Sequence, residues 1–130
     1  MKKIILPLLA ILLLASACTK NKNGNYPHVK LNGCITKSGL NNENIVICYD
    51  QLLEDNRCPE GNTCVTQGVA KARFRFSTPV ATHIIELSTH DGGPGYTQDT
   101  VVGNYTIRLV DIFPYPGRTG NARAHVEITP

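Results

Sequence analysis

The strongest constraint on the fold is a strict alternation of apolar and polar residues in two segments. In VAKARFRF, residues 69–76, the even-numbered positions are alanine or phenylalanine, and positions 71, 73 and 75 are lysine or arginine. A period of two is typical of a β-strand with one buried face. ARAHVEI, residues 122–128, repeats the pattern. Its predicted core-facing residues are Ala122, Ala124, Val126 and Ile128.

Further strands are predicted where β-branched and aromatic residues lie between turn residues. These segments are 28–36, 44–49, 83–89 and 104–112. No stretch of ten or more residues shows a helical stripe, although residues 51–55 are compatible with one helical turn. Six or seven short strands predict an all-β domain, either a small closed or partly open β-barrel or, as the alternative, a sandwich.

The first residues have the layout of a secretory signal peptide, predicted over residues 1–17. Two lysines precede an apolar run over 4–14, which is much shorter than the roughly 20 residues of a membrane-spanning helix. Ala15 and Ala17 fit an ordinary cleavage site. Cys18, directly after two small residues, instead resembles the cysteine of a bacterial lipobox, although alanine replaces the usual leucine three positions before it.

The number of cysteines favours lipid attachment at Cys18. Exported proteins tend to pair their cysteines, and this chain has five. With Cys18 as the lipid site, an even set of four remains. Residues 18–25 then form the lipidated cysteine and a polar tether, and residues 26–130 a single domain. We expect the protein to be held in the bacterial outer membrane, because Thr19 provides no acidic cue for inner-membrane retention. We also expect a monomer.

Charge and motif content argue against several classes of function. Without Lys2 and Lys3 the 13 basic residues become 11, against 10 acidic ones, so a nucleic-acid-binding surface is not expected. No serine lies in a G-x-S-x-G turn, and the four histidines show no H-E-x-x-H spacing. We therefore expect neither an enzyme nor a metal site, and no cofactor.

The stretch DNRCPEGNTC, residues 55–64, predicts a stiff loop closed by a disulfide. Four cysteines allow three connectivities. Cys58 with Cys64 is favoured because the ring is short and rich in turn residues, which leaves Cys34 with Cys48 in neighbouring predicted strands; the crossed arrangements stay open. The loop is either presented to a partner or simply one of the staples that a small exported domain needs.

A longer stretch, DNRCPEGNTCVTQGVA at residues 55–70, carries a family resemblance. With the signal, the length and the strand pattern, it resembles the potempins, bacterial lipoprotein inhibitors of secreted proteinases. The resemblance implies a small β-barrel related to the OB type, which inhibits metalloproteinases or subtilisin-like serine proteinases through exposed loops. Thr66 departs from relatives that often carry tryptophan there. The signature positions are Asp55, Arg57, Cys58, Pro59, Cys64, Val65, Gly68 and Ala70.

The expected site is this loop. Against a metalloproteinase, a backbone carbonyl or Glu60, the only acid in the ring, would approach the zinc. Against a serine proteinase, Arg57 or Thr63 would fill a specificity pocket. Tyr96 and Tyr115, in two other loops, are candidate secondary contacts. The alternative is a non-inhibitory envelope-binding or structural module. The predicted proteinase-binding residues are Arg57, Pro59, Glu60, Gly61, Asn62, Thr63 and Val65.

Overall fold

The structure is a computed structural model that describes residues 27–130. The predicted signal peptide, Cys18 and the whole of the predicted tether lie outside the described residues. Residues 27–130 form eight β-strands and one short 3-10 turn, Leu40–Asn42. The strands are β1 (His28–Lys30), β2 (Gly33–Ser38), β3 (Asn44–Asp55), β4 (Ala70–Ser77), β5 (Thr82–Ser88), β6 (Asp99–Val102), β7 (Tyr105–Phe113) and β8 (Arg123–Thr129).

The strands form two antiparallel sheets, in the orders β1-β8-β7-β6 and β2-β3-β4-β5. The apolar faces pack against each other and bury one continuous core. The prediction of an all-β domain, with a sandwich as its alternative, is confirmed, and the barrel is not. One reason is that the predicted strand 28–36 is two strands. The chain turns at Asn32, which has a φ of 61°, so that β1 joins β8 in one sheet while β2 joins β3 in the other.

The predicted faces of the two alternating segments are confirmed. On β4, the alanine and phenylalanine side chains are buried, while Lys71 and Arg73 bind Glu86 on the outer face at 3.2 and 2.8 Å. On β8, Ala124, Val126 and Ile128 are buried, and Ala122 packs against the core just before the strand. Alternation in the sequence thus identified the inner face of each sheet.

Two details of the strand prediction are wrong. Residues 51–55 are not a helical turn but the second half of β3, which is irregular: its register against β4 shifts between Tyr49 and Gln51 and again between Leu52 and Glu54. Such bulges break the alternation by which a strand is recognised. β6 was not predicted, because four residues are too few to establish a period.

The predicted bridge between Cys34 and Cys48 is confirmed. The two cysteines are direct neighbours in the register of β2 and β3, so the bridge joins the edge strand of one sheet to the next strand. Within residues 27–130, no helix is long and apolar enough to cross a bilayer.

Within residues 27–130, Tyr49 is the one core residue whose polar side-chain group has no hydrogen-bond partner. Its ring packs on Phe74, with 5.1 Å between centroids, and the side chain is fully buried. Its hydroxyl has no hydrogen-bond partner among residues 27–130. Burial, and secondarily the charge of Asp55, raises the pKa of Tyr49 from 10.0 to about 12. Ionisation of this hydroxyl is therefore unfavourable in the folded protein.

Tyr49→Phe is expected to leave stability at neutral pH unchanged or to raise it by up to about 1 kcal/mol, because an unpaired buried hydroxyl is removed. Above pH 10 the unfolded chain releases the Tyr49 proton while the folded chain retains it. The wild type should therefore lose stability as the pH rises towards 12, by about 1.4 kcal/mol per pH unit for this group. Urea denaturation of both proteins should show the variant gaining on the wild type with rising pH. An identical pH dependence of the two proteins would contradict a raised pKa of Tyr49 in the folded state.

Candidate functional site

Three loops lie together at one end of the sandwich, which we call the loop end. They are the stapled loop (56–69, between β3 and β4), the second loop (89–98, between β5 and β6) and the third loop (114–122, between β7 and β8). The strand register brings them together, because Asp55 pairs with Ala70 and Phe113 with Arg123. The Thr89 amide also donates to the carbonyl oxygen of Ala70 at 2.9 Å.

The tip of the stapled loop is the predicted ring. Cys58 and Cys64 are bonded, which confirms the preferred connectivity. Inside the ring the amide of Asn62 donates to the Pro59 carbonyl oxygen at 3.1 Å, which closes a turn around Gly61, whose φ is 85°. The ring therefore has its own internal order.

The base of the stapled loop is held by hydrogen bonds between its two arms. The Asn56 amide donates to the Val69 carbonyl at 3.0 Å, and the Val69 amide donates to the Asn56 side-chain oxygen at 2.6 Å. The Cys58 amide donates to the Gln67 carbonyl at 3.0 Å. Gly68 lies between these pairs, with its φ at 69° and its α-carbon packed against Asn56. The arms are thus in direct contact below the ring.

Arg57 is the buried centre of this base, with 4% of its side chain exposed. Its guanidinium donates to both carboxylate oxygens of Asp55, from Nε at 2.8 Å and from Nη2 at 2.7 Å. Nη1 donates to Asp111 at 3.0 Å and to the carbonyl oxygen of Ile112 at 2.5 Å. A planar guanidinium is suited to such paired contacts. Burial disfavours the charge, but the hydrogen bond and charge of Asp55, with Asp111, raise the pKa of Arg57 overall.

Tyr115 completes this cluster from the third loop. Its ring lies over the Arg57 guanidinium, 4.2 Å from Cζ to the ring centroid, and its hydroxyl donates to Asp111 at 2.7 Å. Burial, followed by the hydrogen bond to the Asp111 carboxylate, raises the pKa of Tyr115. We call Asp55, Arg57, Asp111 and Tyr115 the arginine cluster. It ties the stapled loop to β7 and to the third loop.

The predicted contact residues fall into two groups. Glu60, Gly61, Asn62, Thr63 and Val65 are exposed, and Pro59 is partly buried. Arg57 differs, because its burial and its bonds in the arginine cluster leave it unable to fill a specificity pocket of another protein. The interpretation of Arg57 as a contact residue is therefore corrected to that of a support.

The two candidate secondary contacts lie at the same end as the stapled loop. Tyr96 is in the second loop, where its hydroxyl donates to Glu54 at 2.8 Å, and Tyr115 lies in the arginine cluster. Both are partly exposed, and both hydroxyls already have partners. What either contributes to a contact would therefore come from the accessible part of its ring.

Sequence reasoning missed two residues that contact the stapled loop. Asp111 binds Arg57 across 54 positions of sequence, and Arg118 binds Glu60 at 3.0 Å. Neither partner is adjacent in sequence, so a single chain offers no signal for these pairs. The Arg118 and Glu60 side chains are 61% and 56% exposed, so this ion pair contributes little to stability and is easily exchanged for another partner.

Shallow grooves surround the ring. One of about 320 Å³ lies between Cys58–Asn62 and the rings of Phe113 and Tyr115. Another, of about 210 Å³, lies behind the ring beside Arg57, Gln67 and His90. Residues 27–130 contain no group of three or more side chains arranged to hold a metal ion. The loop end therefore presents a projecting ring bordered by grooves.

The fold and this end define the protein as a disulfide-stabilised β-sandwich that carries a stapled loop on a buried arginine cluster. No protein-family model matches the chain, and neither the curated proteins nor the solved structures compared with it give a match.

Proposed function

We propose that the protein is a membrane-anchored lipoprotein that inhibits secreted proteinases by placing the stapled loop in the active-site cleft. The observation that carries this proposal is the contrast within that loop. Arg57 at its base is buried and fully bonded, whereas every residue from Glu60 to Gln67 is exposed. The resemblance of residues 55–70 to the potempins implies the same activity.

Rigid support makes such a loop an effective ligand. The disulfide restricts the ring, the hydrogen bonds between the two arms restrict the base of the loop, and the arginine cluster fixes that base to β7. A loop ordered before binding loses less conformational entropy in the complex, so more of the contact energy appears as affinity. A disulfide alone would satisfy the need for a staple; the additional buried cluster supports presentation.

In this proposal the membrane anchor is on the N-terminal side of the domain. A lipid on Cys18 would hold the protein in the bacterial outer membrane. β1 pairs with β8 from His28 opposite His125 to Lys30 opposite Arg123, so it runs towards the loop end. The stapled loop is exposed at that end, where a secreted proteinase can reach it.

Two contact chemistries follow from the exposed residues. Towards a metalloproteinase, the Glu60 carboxylate would leave Arg118 and approach the open coordination position of the zinc. Towards a serine proteinase, the exposed segment after Asn62 would lie extended in the cleft. The first makes inhibition dependent on Glu60, and the second makes it dependent on the residues beyond it.

The test is a titration of residues 19–130 against a panel of secreted metallo- and serine proteinases, with residual activity as the readout. The loop variant replaces Glu60, Gly61, Asn62 and Thr63 together and keeps both cysteines. The matched control replaces Pro79, Val80 and Ala81, an exposed turn at the opposite end of the sandwich. Both variants should fold, because none of these side chains belongs to the core.

Stoichiometric inhibition of one proteinase class, weakened at least tenfold in the loop variant and unchanged in the control, is the expected result. Inhibition that both variants retain would place the contact outside the ring. A wild type that inhibits no proteinase in the panel would overturn the proposal and favour an envelope-binding or structural module.

A further inference from the structure

We infer that Val65 is the specificity residue of the stapled loop and that the partner is a serine proteinase with a small apolar specificity pocket. This inference rests on the proposed function and narrows it to one proteinase class and one side chain. The site is the segment 63–66, which follows the ring turn and ends where the arms pair.

Exposure singles out Val65. The residue is 105% exposed, so no neighbouring residue covers it. A branched aliphatic side chain in water gains free energy when a partner buries it, by about 1.5 to 3 kcal/mol on full burial. Among the exposed large apolar residues in the described part of the chain, Val65 has the highest exposure and is the one in the stapled loop.

The backbone around Val65 is fixed at both sides and open in between. Cys64 is held by the disulfide, and Gln67 is held by the Cys58 amide. Thr63, Val65 and Thr66 form no backbone hydrogen bond with any residue of 27–130. The backbone bends at Val65 and Thr66, and the N–H and C=O groups of these three residues are available to bond to a partner's cleft.

Val80 provides an internal comparison. It is 92% exposed but lies in the tight turn between β4 and β5, where the Thr78 amide donates to the Ala81 carbonyl at 2.8 Å. This turn closes the hairpin at the opposite end of the sandwich from the ring and the arginine cluster. Val80 is therefore an exposed valine that does not belong to the stapled loop.

The chemistry of the side chain selects the pocket. Serine proteinases of the trypsin type bind a basic residue through an aspartate in the pocket, whereas the elastase type has a small apolar pocket. Valine fits the second and leaves the aspartate of the first unpaired. The buried position of Arg57 removes the only basic side chain of residues 55–66 from competition for the trypsin-type pocket.

The experiment measures inhibition constants of the wild type, Val65→Arg and Val80→Arg against one elastase-type and one trypsin-type serine proteinase. We expect the wild type to inhibit the elastase-type enzyme. Val65→Arg should weaken that inhibition at least 100-fold and introduce inhibition of the trypsin-type enzyme, while Val80→Arg should change both constants less than threefold. Circular dichroism spectra matching that of the wild type establish that both variants fold.

The outcomes separate the two proposals. Equal inhibition of the elastase-type enzyme by the wild type and Val65→Arg would overturn the role of Val65 and leave the inhibitor function standing. Inhibition of metalloproteinases alone would do the same. A wild type that inhibits neither serine proteinase nor any metalloproteinase would overturn both the function and the role of Val65.

Discussion

Arg57→Ala is expected to lower the free energy of unfolding by about 3 to 5 kcal/mol, because it leaves two largely buried carboxylates without their cation. The Asp55 and Asp111 side chains are only 15% and 23% exposed, and water can restore only part of the lost interaction. The carbonyl oxygen of Ile112 loses its donor as well. Urea denaturation at neutral pH, followed by circular dichroism, measures the change.

The matched control for this prediction is Arg118→Ala. That residue also forms an ion pair with an acid of the region, Glu60, but both side chains are more than half exposed. Exposed pairs contribute about 0 to 1 kcal/mol, so the control should remain close to the wild type. Arg57→Lys tests geometry separately, since an ammonium group cannot form the paired contacts of a guanidinium. A loss below 1 kcal/mol for Arg57→Ala would contradict the supporting role of the arginine cluster.

Sequence reasoning succeeds where a feature depends on residues that are close together in the chain. The alternation of β4 and β8 depends on local periodicity, and the ring from Cys58 to Cys64 depends on spacing and turn residues. Both are encoded within a few positions, and both predictions were confirmed. The same short-range patterns predict an all-β domain but not its division into two sheets, because a barrel and a sandwich have similar strands.

What the sequence could not provide was the role of each polar residue in the loop. An arginine beside a cysteine ring has the same local sequence whether its side chain points outward or inward. Its orientation is determined by Asp111 and by the carbonyl oxygen of Ile112, which reach it only after β7 has packed behind the loop. The burial of Arg57 depends on tertiary contacts that the local sequence does not reveal. Arg57 was therefore predicted to be a contact residue, and Val65 was predicted to be one among several.

Rigidity at the base and exposure at the tip are physically coupled. A buried ion pair is a weak source of net stability, because the desolvation of its charges offsets much of their attraction. Here the ion pairs determine position, since the bonds from Arg57 to Asp55 and Asp111 fix where the base of the stapled loop leaves the sandwich. A loop without that attachment would keep its ring but would no longer have a fixed orientation on the sandwich. Binding would then have to order the loop, at a cost in conformational entropy.

Gly68→Ala is expected to lower the free energy of unfolding by at least about 3 kcal/mol, the second large effect in this loop. Two costs add. The φ of 69° is left-handed, which costs a residue with a β-carbon about 1 to 2 kcal/mol. The new β-carbon would also lie 2.0 Å from the carbonyl oxygen of Asn56, so the arms of the stapled loop must separate.

Gly61→Ala is the matched control, because it has the first cost without the second. Its φ is 85°, and nothing lies within 4 Å of an added β-carbon. The control should therefore lose about 1 to 2 kcal/mol at most. Urea denaturation gives both values, and amide hydrogen exchange at Cys58 and Val69 reports whether the arms have opened. Equal losses in the two variants, with both amides still protected in Gly68→Ala, would show that the base of the stapled loop does not need the close contact at Gly68. A larger loss and rapid exchange in Gly68→Ala alone would identify that contact as the point where the two arms of the stapled loop are held together.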